Sequence, residues 1–303
     1  DPYNDGFRNF FRLANTSVSS ATDAYAQFEY LAEAQDIAKS GWQYASSSSS
    51  ITLSFWARSS LAGTYYAMLR TFDTAEYLRI ASFTLVADTW KKVSISVAGN
   101  SNLVFNNDNG QGLNVLVVPH YGTTYTGGEE VSTTDWYSRA SQTDAYFPDY
   151  AQNWSNTASA TFDLTGVQLE VGDKATPFEH RSYGDELARC QRYFFKQESV
   201  SGSYPPFGFG TWFSASRFIS NVQFPVPMRA NPSVTITGDV EAWDGTSPKG
   251  AIASVGIESS GGGDSPTIIK MDATNLSGAT SGNHGFLMAD NDSNASLEYS
   301  AEL

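Results

Sequence analysis

Residues 161–195 read TFDLTGVQLEVGDKATPFEHRSYGDELARCQRYFF, and the fold class is decided there. Phe162 and Leu164 share one face of an extended chain; Val167, Leu169 and Val171 share the next. The apolar phase slips by one at Gly166, which predicts a β-bulge, since glycine adopts the backbone angles a bulge requires. A strand with one buried face follows from this alternation. Gly172-Asp173 ends it, and Pro177 keeps the next residues extended. A helix is then expected to start between residues 182 and 184. Asp185 and Glu186 fall in its first turn, and Arg189, Arg192 and Lys196 toward its end, an order that complements the helix dipole.

Upstream of this stretch the chain reads as more strands. Residues 51–58 (ITLSFWAR) alternate cleanly: Ile51, Leu53, Phe55 and Ala57 on one face, Thr52, Ser54, Trp56 and Arg58 on the other. Residues 7–13, 24–31, 65–70, 77–85 and 90–97 read as further strands, with a hairpin turn at 72–74. The first of these would place Phe7, Phe11 and Leu13 on one face. Residues 33–39 fit either one helical turn or a strand. Residues 113–118 are apolar save Asn114, as expected of a central strand covered on both sides. Downstream, Phe207, Phe209 and Phe213 alternate with Gly208, Gly210 and Trp212. Pro225 and Pro227 mark an edge strand or a strand end. Residues 234–237, 251–257, 267–271, 285–288 and 296–303 complete a second β region, with 258–264 (ESSGGGD) as a loop.

The chain is long enough, at 303 residues, for two domains. With 32 Asp and Glu against 18 Lys and Arg it carries a net charge of −14, which argues against nucleic acid or an anionic membrane as the main partner. No apolar run is long enough to span a bilayer as a helix. The chain opens on Asp1 without a Met, so an upstream segment is expected. Cys190 is the one cysteine, which rules out an intrachain disulfide and reads as a small buried side chain. Aromatic residues at 14% beside abundant Ser, Thr, Asn and Gly favour an all-β protein with polar loops.

The opening stretch also resembles a junction found in bacteriophage tail-fibre and virion proteins. There a strand like residues 165–172 closes a jelly-roll domain. A segment like Ala175-Thr176-Pro177-Phe178-Glu179-His180-Arg181 follows, and then a helix like residues 186–193. Residues 51–58 and 90–97 resemble sandwich strands of that domain, and 222–237 resemble the opening of the small C-terminal β domain of such fibres. The N-terminal half also resembles carbohydrate-binding modules in its fold pattern. The resemblance implies a virion location, a homotrimer in contact with other virion proteins, and host-surface polysaccharide as a ligand. It also implies a structural calcium ion between first and last strands, where Asp5 and Asp163 fall; Asp163 would otherwise cap a local turn.

Candidate chemistry is sparse. His120, His180 and His284 are far apart, and no HExxH, paired-cysteine, GxSxG or phosphate-loop pattern occurs. Residues 119–160 form a long loop-rich segment holding Trp136, Tyr137, Tyr146, Tyr150 and Trp154. Flat rings bind the C–H faces of sugars, so these five could form a sugar platform. Alternatively they pin the loop onto the sandwich or pack at a subunit contact. Glu129, Glu130, Asp135, Asp144 and Asp149 lie in the same segment and could pair as glycosidase carboxylates, or stand as solvated loop acids. In the helix, Tyr183, Leu187, Cys190 and Phe194 are spaced 4, 3, 4, an a/d seam that would either line a symmetry axis or pack on the subunit's own sheets.

The expectation is therefore an all-β protein: a jelly-roll-like β-sandwich over 1–181, a short connecting helix over 182–196, and a second, smaller β domain over 197–303. The expected role is a structural and adhesive part of a phage virion appendage, with no catalytic residues. A polysaccharide-degrading enzyme or its sugar-binding module is the alternative, and an assembly protein without a ligand the third reading.

Overall fold

The structure, a computed structural model, describes residues 1–127, 131–141, 145–200, 203–252, 256–257, 268–274 and 276–302. Glu129, Glu130, Asp144 and the loop at 258–264 lie outside the described residues. The chain packs as two units, Asp1–His180 and Arg181–Glu302.

The first unit contains β1 (Phe11–Ala14), β2 (Tyr25–Glu33), the short helix α1 (Ala34–Ala38), β3 (Ser50–Ser59), β4 (Gly63–Thr71), β5 (Tyr77–Leu85), β6 (Lys91–Ala98), β7 (Gln111–Tyr121), β8 (Tyr137–Ser138) and β9 (Thr161–Val171). Two antiparallel sheets form, in the orders β1-β9-β3-β6 and β2-β7-β4-β5-β8. Because the chain changes sheet at most of its connections, the sandwich is jelly-roll-like.

The alternation in β3 sets the inner face. Ile51, Leu53, Phe55 and Ala57 are buried against Leu113, Val115 and Val117 of β7. The opposite face of β7 places Leu116 and Val118 in a separate cluster, so this strand is covered on both sides. Its continuous apolar run follows from that double cover.

The bulge falls at Gly166. Ser54 pairs with Gln168 and Trp56 with Thr165, leaving Gly166 and Val167 together opposite Phe55. Gly166 has φ +62°, in the left-handed region. A Cβ there would lie 2.5 Å from the ring of Phe7. Phe7 is not part of the first strand, which begins only at Phe11. Instead its ring is seated at Gly166 and clasped by Phe178 (4.8 Å) and His180 (5.3 Å). His180 Nε2 donates to the Asp5 carbonyl at 2.9 Å. The segment after β9 is tied back to that strand by Thr176 N to Glu170 Oε1 (2.8 Å) and Glu179 N to Gln168 Oε1 (2.9 Å). It thereby clamps the N-terminal segment.

The second unit contains α2 (Tyr183–Gln191), β10 (Phe194–Glu198), β11 (Pro206–Ser214), β12 (Arg217–Gln223), β13 (Ser233–Thr237), β14 (Val240–Trp243), β15 (Pro248–Ala251), β16 (Gly256–Ile257), β17 (Ile268–Ala273), β18 (His284–Ala289) and β19 (Ser296–Ser300). A three-stranded sheet, β10-β19-β13, and a seven-stranded sheet, β15-β14-β18-β11-β12-β17-β16, share one core built on Trp212, Phe218, Leu287, Leu297 and Tyr299. β12 ends just before Pro225, so that proline marks a strand end.

The helix is shorter than 182–196. Ser182 caps it, its Oγ accepting from Asp185 N at 3.2 Å, and the last helical residue is Gln191. Residues 194–198 leave the helix to pair with β19, whose alternating Leu297 and Tyr299 supply an apolar face for Phe195. Packing against that face outweighs continuation of the helical spacing.

Candidate functional site

The outer face of the five-stranded sheet shows why the aromatic segment exists. Tyr66, Met68, Leu78, Ile80, Leu116 and Val118 form a patch there that must be kept from water. The segment after β7 crosses it. Phe147 is fully buried on the patch, with Tyr137, Tyr146 and Tyr150 packed around it. Phe147 and Tyr150 lie nearly parallel at 6.1 Å, and Tyr66 meets Tyr150 edge-on at 5.1 Å. The phenols find carbonyl acceptors: Tyr137 donates to Tyr146 O at 2.8 Å and Tyr150 to Val118 O at 3.0 Å. Burial raises the pKa of all three tyrosines above the ordinary phenol value.

The two tryptophans belong elsewhere. Trp154 is buried in the core between the sheets, and Trp136 packs against that same core while its Nε1 donates to Ala98 O at 2.8 Å. Asn15 Nδ2 holds the Trp154 turn through the carbonyls of residues 154, 155 and 157. The five expected platform residues are thus divided between two clusters. Asp135 and Asp149, the described carboxylates of the segment, are exposed.

Asp5 and Asp163 have separate partners. Asp163 is 1% exposed and takes both Arg12, at 2.7 and 3.0 Å, and Arg58, at 2.9 and 2.6 Å. Burial pushes its carboxyl up, but the two guanidinium groups outweigh this and hold it below the usual range. Asp5 accepts from Lys92 Nζ at 3.0 Å and Trp56 Nε1 at 3.1 Å. Cationic side chains therefore occupy the positions around both acids, and among the described residues no cluster of three or more His, Cys, Asp or Glu could hold a metal ion.

A buried polar pair lies beside the aromatic patch. His120 Nε2 is 2.9 Å from Ser155 Oγ, and that hydroxyl is 3.0 Å from Ser19 O. If the serine donates to the carbonyl, His120 is the donor to the serine. Its buried Nδ1 has no hydrogen-bond partner among the described residues. Burial lowers the His120 pKa. Between that lowered value and the unfolded value near 6.5, the unfolded chain binds more protons, so stability falls as pH falls through this window. Urea midpoints measured from pH 7.5 to 5 should decline in the wild type and decline less in His120→Gln. Parallel profiles would remove His120 from the acid response.

The seam residues are uncovered. No residue of α2 is buried, and Tyr183 (81%), Leu187 (40%) and Cys190 are exposed on it. The expectation of a buried Cys190 is corrected: the thiol is exposed on a helix none of whose residues is buried. Phe194, also 40% exposed, opens β10 rather than continuing the helix.

Another aromatic group, with Phe209 exposed and Phe286 and Trp243 half-buried, went unrecognised in the sequence. Phe209, Phe286 and Trp243 lie outside the core of the second unit, on three neighbouring strands of its larger sheet. The alternation in the sequence sets Phe209 on one face with Phe207 and Phe213, but the register shifts between Pro206 and Gly208, so Phe207 enters the core while Phe209 and Phe213 are exposed. Phe286 and Trp243 give no local signal, because only strand register brings them beside Phe209.

No family model matches the chain, and no curated protein matches it. Among solved structures it is similar to the N-terminal CBM22-1-CBM22-2 tandem domain of Paenibacillus barcinonensis Xyn10C, at 12% identity over 96% of this chain and 92% of that chain, with a TM-score of 0.23. A likeness at that score carries no argument about this chain's function.

Proposed function

We propose that this chain is a structural and adhesive component of a phage virion appendage, assembled as a homotrimer and displaying β domains to host-surface polysaccharide. The observation that carries the proposal is the uncovered seam of Tyr183, Leu187 and Cys190 on α2, continued by Phe194 at the start of β10. An apolar stripe of this kind is costly in water. So short a helix holds no coiled coil by itself, but β domains beside it supply further contact area. A threefold axis buries each copy of the stripe equally and closes the assembly. The virion setting is supported by the resemblance of residues 161–195 to fibre junctions, and the adhesive role by Phe209, an aromatic ring left exposed on the larger sheet of the second unit.

Sedimentation and light scattering test the assembly. Wild-type chain should run as a trimer. Leu187→Asp places like charges near one axis, and repulsion in a poorly hydrated spot should weaken association by ~100-fold or more. Because Leu187 is not part of either core, the β circular-dichroism signal should survive. A monomeric wild type, or a mutant that remains trimeric, would count against the axial helix.

A further inference from the structure

The outward face of the seven-stranded sheet carries a row of rings set by register. Pro248 of β15 pairs with Trp243 of β14, Trp243 with Phe286 of β18, Phe286 with Phe209 of β11, and Phe209 with Asn221 of β12. The row crosses five strands at right angles to the chain direction, at the ~4.8 Å spacing of adjacent strands. Trp243 and Phe286 are 5.9 Å apart at 29°, and Phe286 and Phe209 are 5.6 Å apart at 66°. His284 stacks on Phe209 at 5.7 Å and is in turn 3.3 Å from the Thr211 hydroxyl. These contacts fix the rings and leave Trp243 and Phe286 half-buried, while Phe209 remains 56% exposed and Asn221 and His284 are also open to solvent.

We propose that this row is a binding strip for a neutral, linear polysaccharide, a reading that rests on the adhesive role above. A pyranose ring presents C–H groups on its faces and hydroxyls around its rim, and the strip offers the complement of both. Its rings lie in line, as successive sugars of one chain require, and hydrogen-bonding groups flank them at Thr211, His284 and Asn221. The net charge of −14 disfavours a polyanion. A dry contact with a second protein would strip water from Thr211, His284 and Asn221 without replacing it, which costs free energy. Sugar hydroxyls replace that water group for group.

Native gels cast with soluble hydroxyethylcellulose, arabinoxylan, glucomannan or dextran provide the test, with alginate as the polyanionic control. Wild-type chain should be retarded by at least one neutral polymer and not by alginate. Phe209→Ala and Trp243→Ala should each raise the apparent dissociation constant about tenfold, the loss of one well-made aromatic contact. Phe209→Leu keeps an apolar side chain and loses the flat face, so it should bind as weakly as Phe209→Ala while melting at the wild-type temperature. Phe11→Ser, on β1 of the other unit, should bind as wild type. Absence of retardation in every neutral gel, or wild-type retardation of Phe209→Leu, would overturn the strip. Retardation is read on the chain whatever its oligomeric state. Its failure therefore leaves the assembly reading standing, and a monomeric wild type leaves the strip standing.

Discussion

Gly166→Val should destabilise the first unit by about 2–5 kcal/mol, a large part of the 5–15 kcal/mol that holds a typical domain folded. Two costs combine. At φ +62° a β-branched residue meets strain of ~1–3 kcal/mol. Its Cβ would also stand 2.5 Å from the Phe7 ring, so Phe7 must leave its seat between Phe178 and His180. Phe7 is half-buried, so re-exposing its ring costs about 1–2 kcal/mol, part of the value for a fully buried phenylalanine. Chemical denaturation measures the sum. Gly166→Ala should cost less, and combining it with Phe7→Ala should cost less than the two single changes added, since the clash is then counted once. A wild-type midpoint for Gly166→Val would show that neither the bulge nor the clasp matters to stability.

Removing the buried carboxylate should rank close behind. Asp163→Ala leaves Arg58, whose side chain is 26% exposed, without its nearest anion, while Arg12 at 47% is freer to rehydrate. Breaking a buried ion pair from one side typically costs 3–5 kcal/mol, and the exposure of Arg12 places this case near about 3 kcal/mol. The pH response gives an independent readout. The folded carboxyl titrates below the unfolded value near 3.9, so its contribution is complete above that value and is lost as pH falls through the folded one. The acid limb of the wild-type stability curve should therefore flatten in Asp163→Ala. An unchanged midpoint at pH 7 would mean that the two guanidinium groups find other anions.

Periodicity carried the fold where burial is one-sided or complete. The stripe Ile51, Leu53, Phe55, Ala57 and the apolar strand β7 are legible because each side chain's environment is set by its own strand. Gly166 is legible because a phase slip at glycine has few other causes. Helix against strand at Phe194 was not, since the 4, 3, 4 spacing is silent about β19, which lies a hundred residues on and captures 194–198. The environment of a loop ring is equally hidden. Tyr150 and Trp154 are four residues apart, yet they pack into different clusters. Asp163 reads as a cation ligand only until Arg12 and Arg58 are brought beside it by the pairing of β1, β9 and β3. The row of Trp243, Phe286 and Phe209 depends on the register of three strands, and no window of sequence contains it.

The pairing of β1 with β9 also sets a schedule for synthesis. Arg12 and Asp163 are 151 residues apart, and the clasp on Phe7 needs Phe178 and His180. A nascent chain thus carries its first strand and the apolar stripe of β3 well before β9, the partner of both, leaves the ribosome. Closing so long a loop must precede the contacts that reward it, which makes such topologies slow to form. In that interval β3 offers an unpaired edge, and neighbouring nascent chains compete with β9 for it.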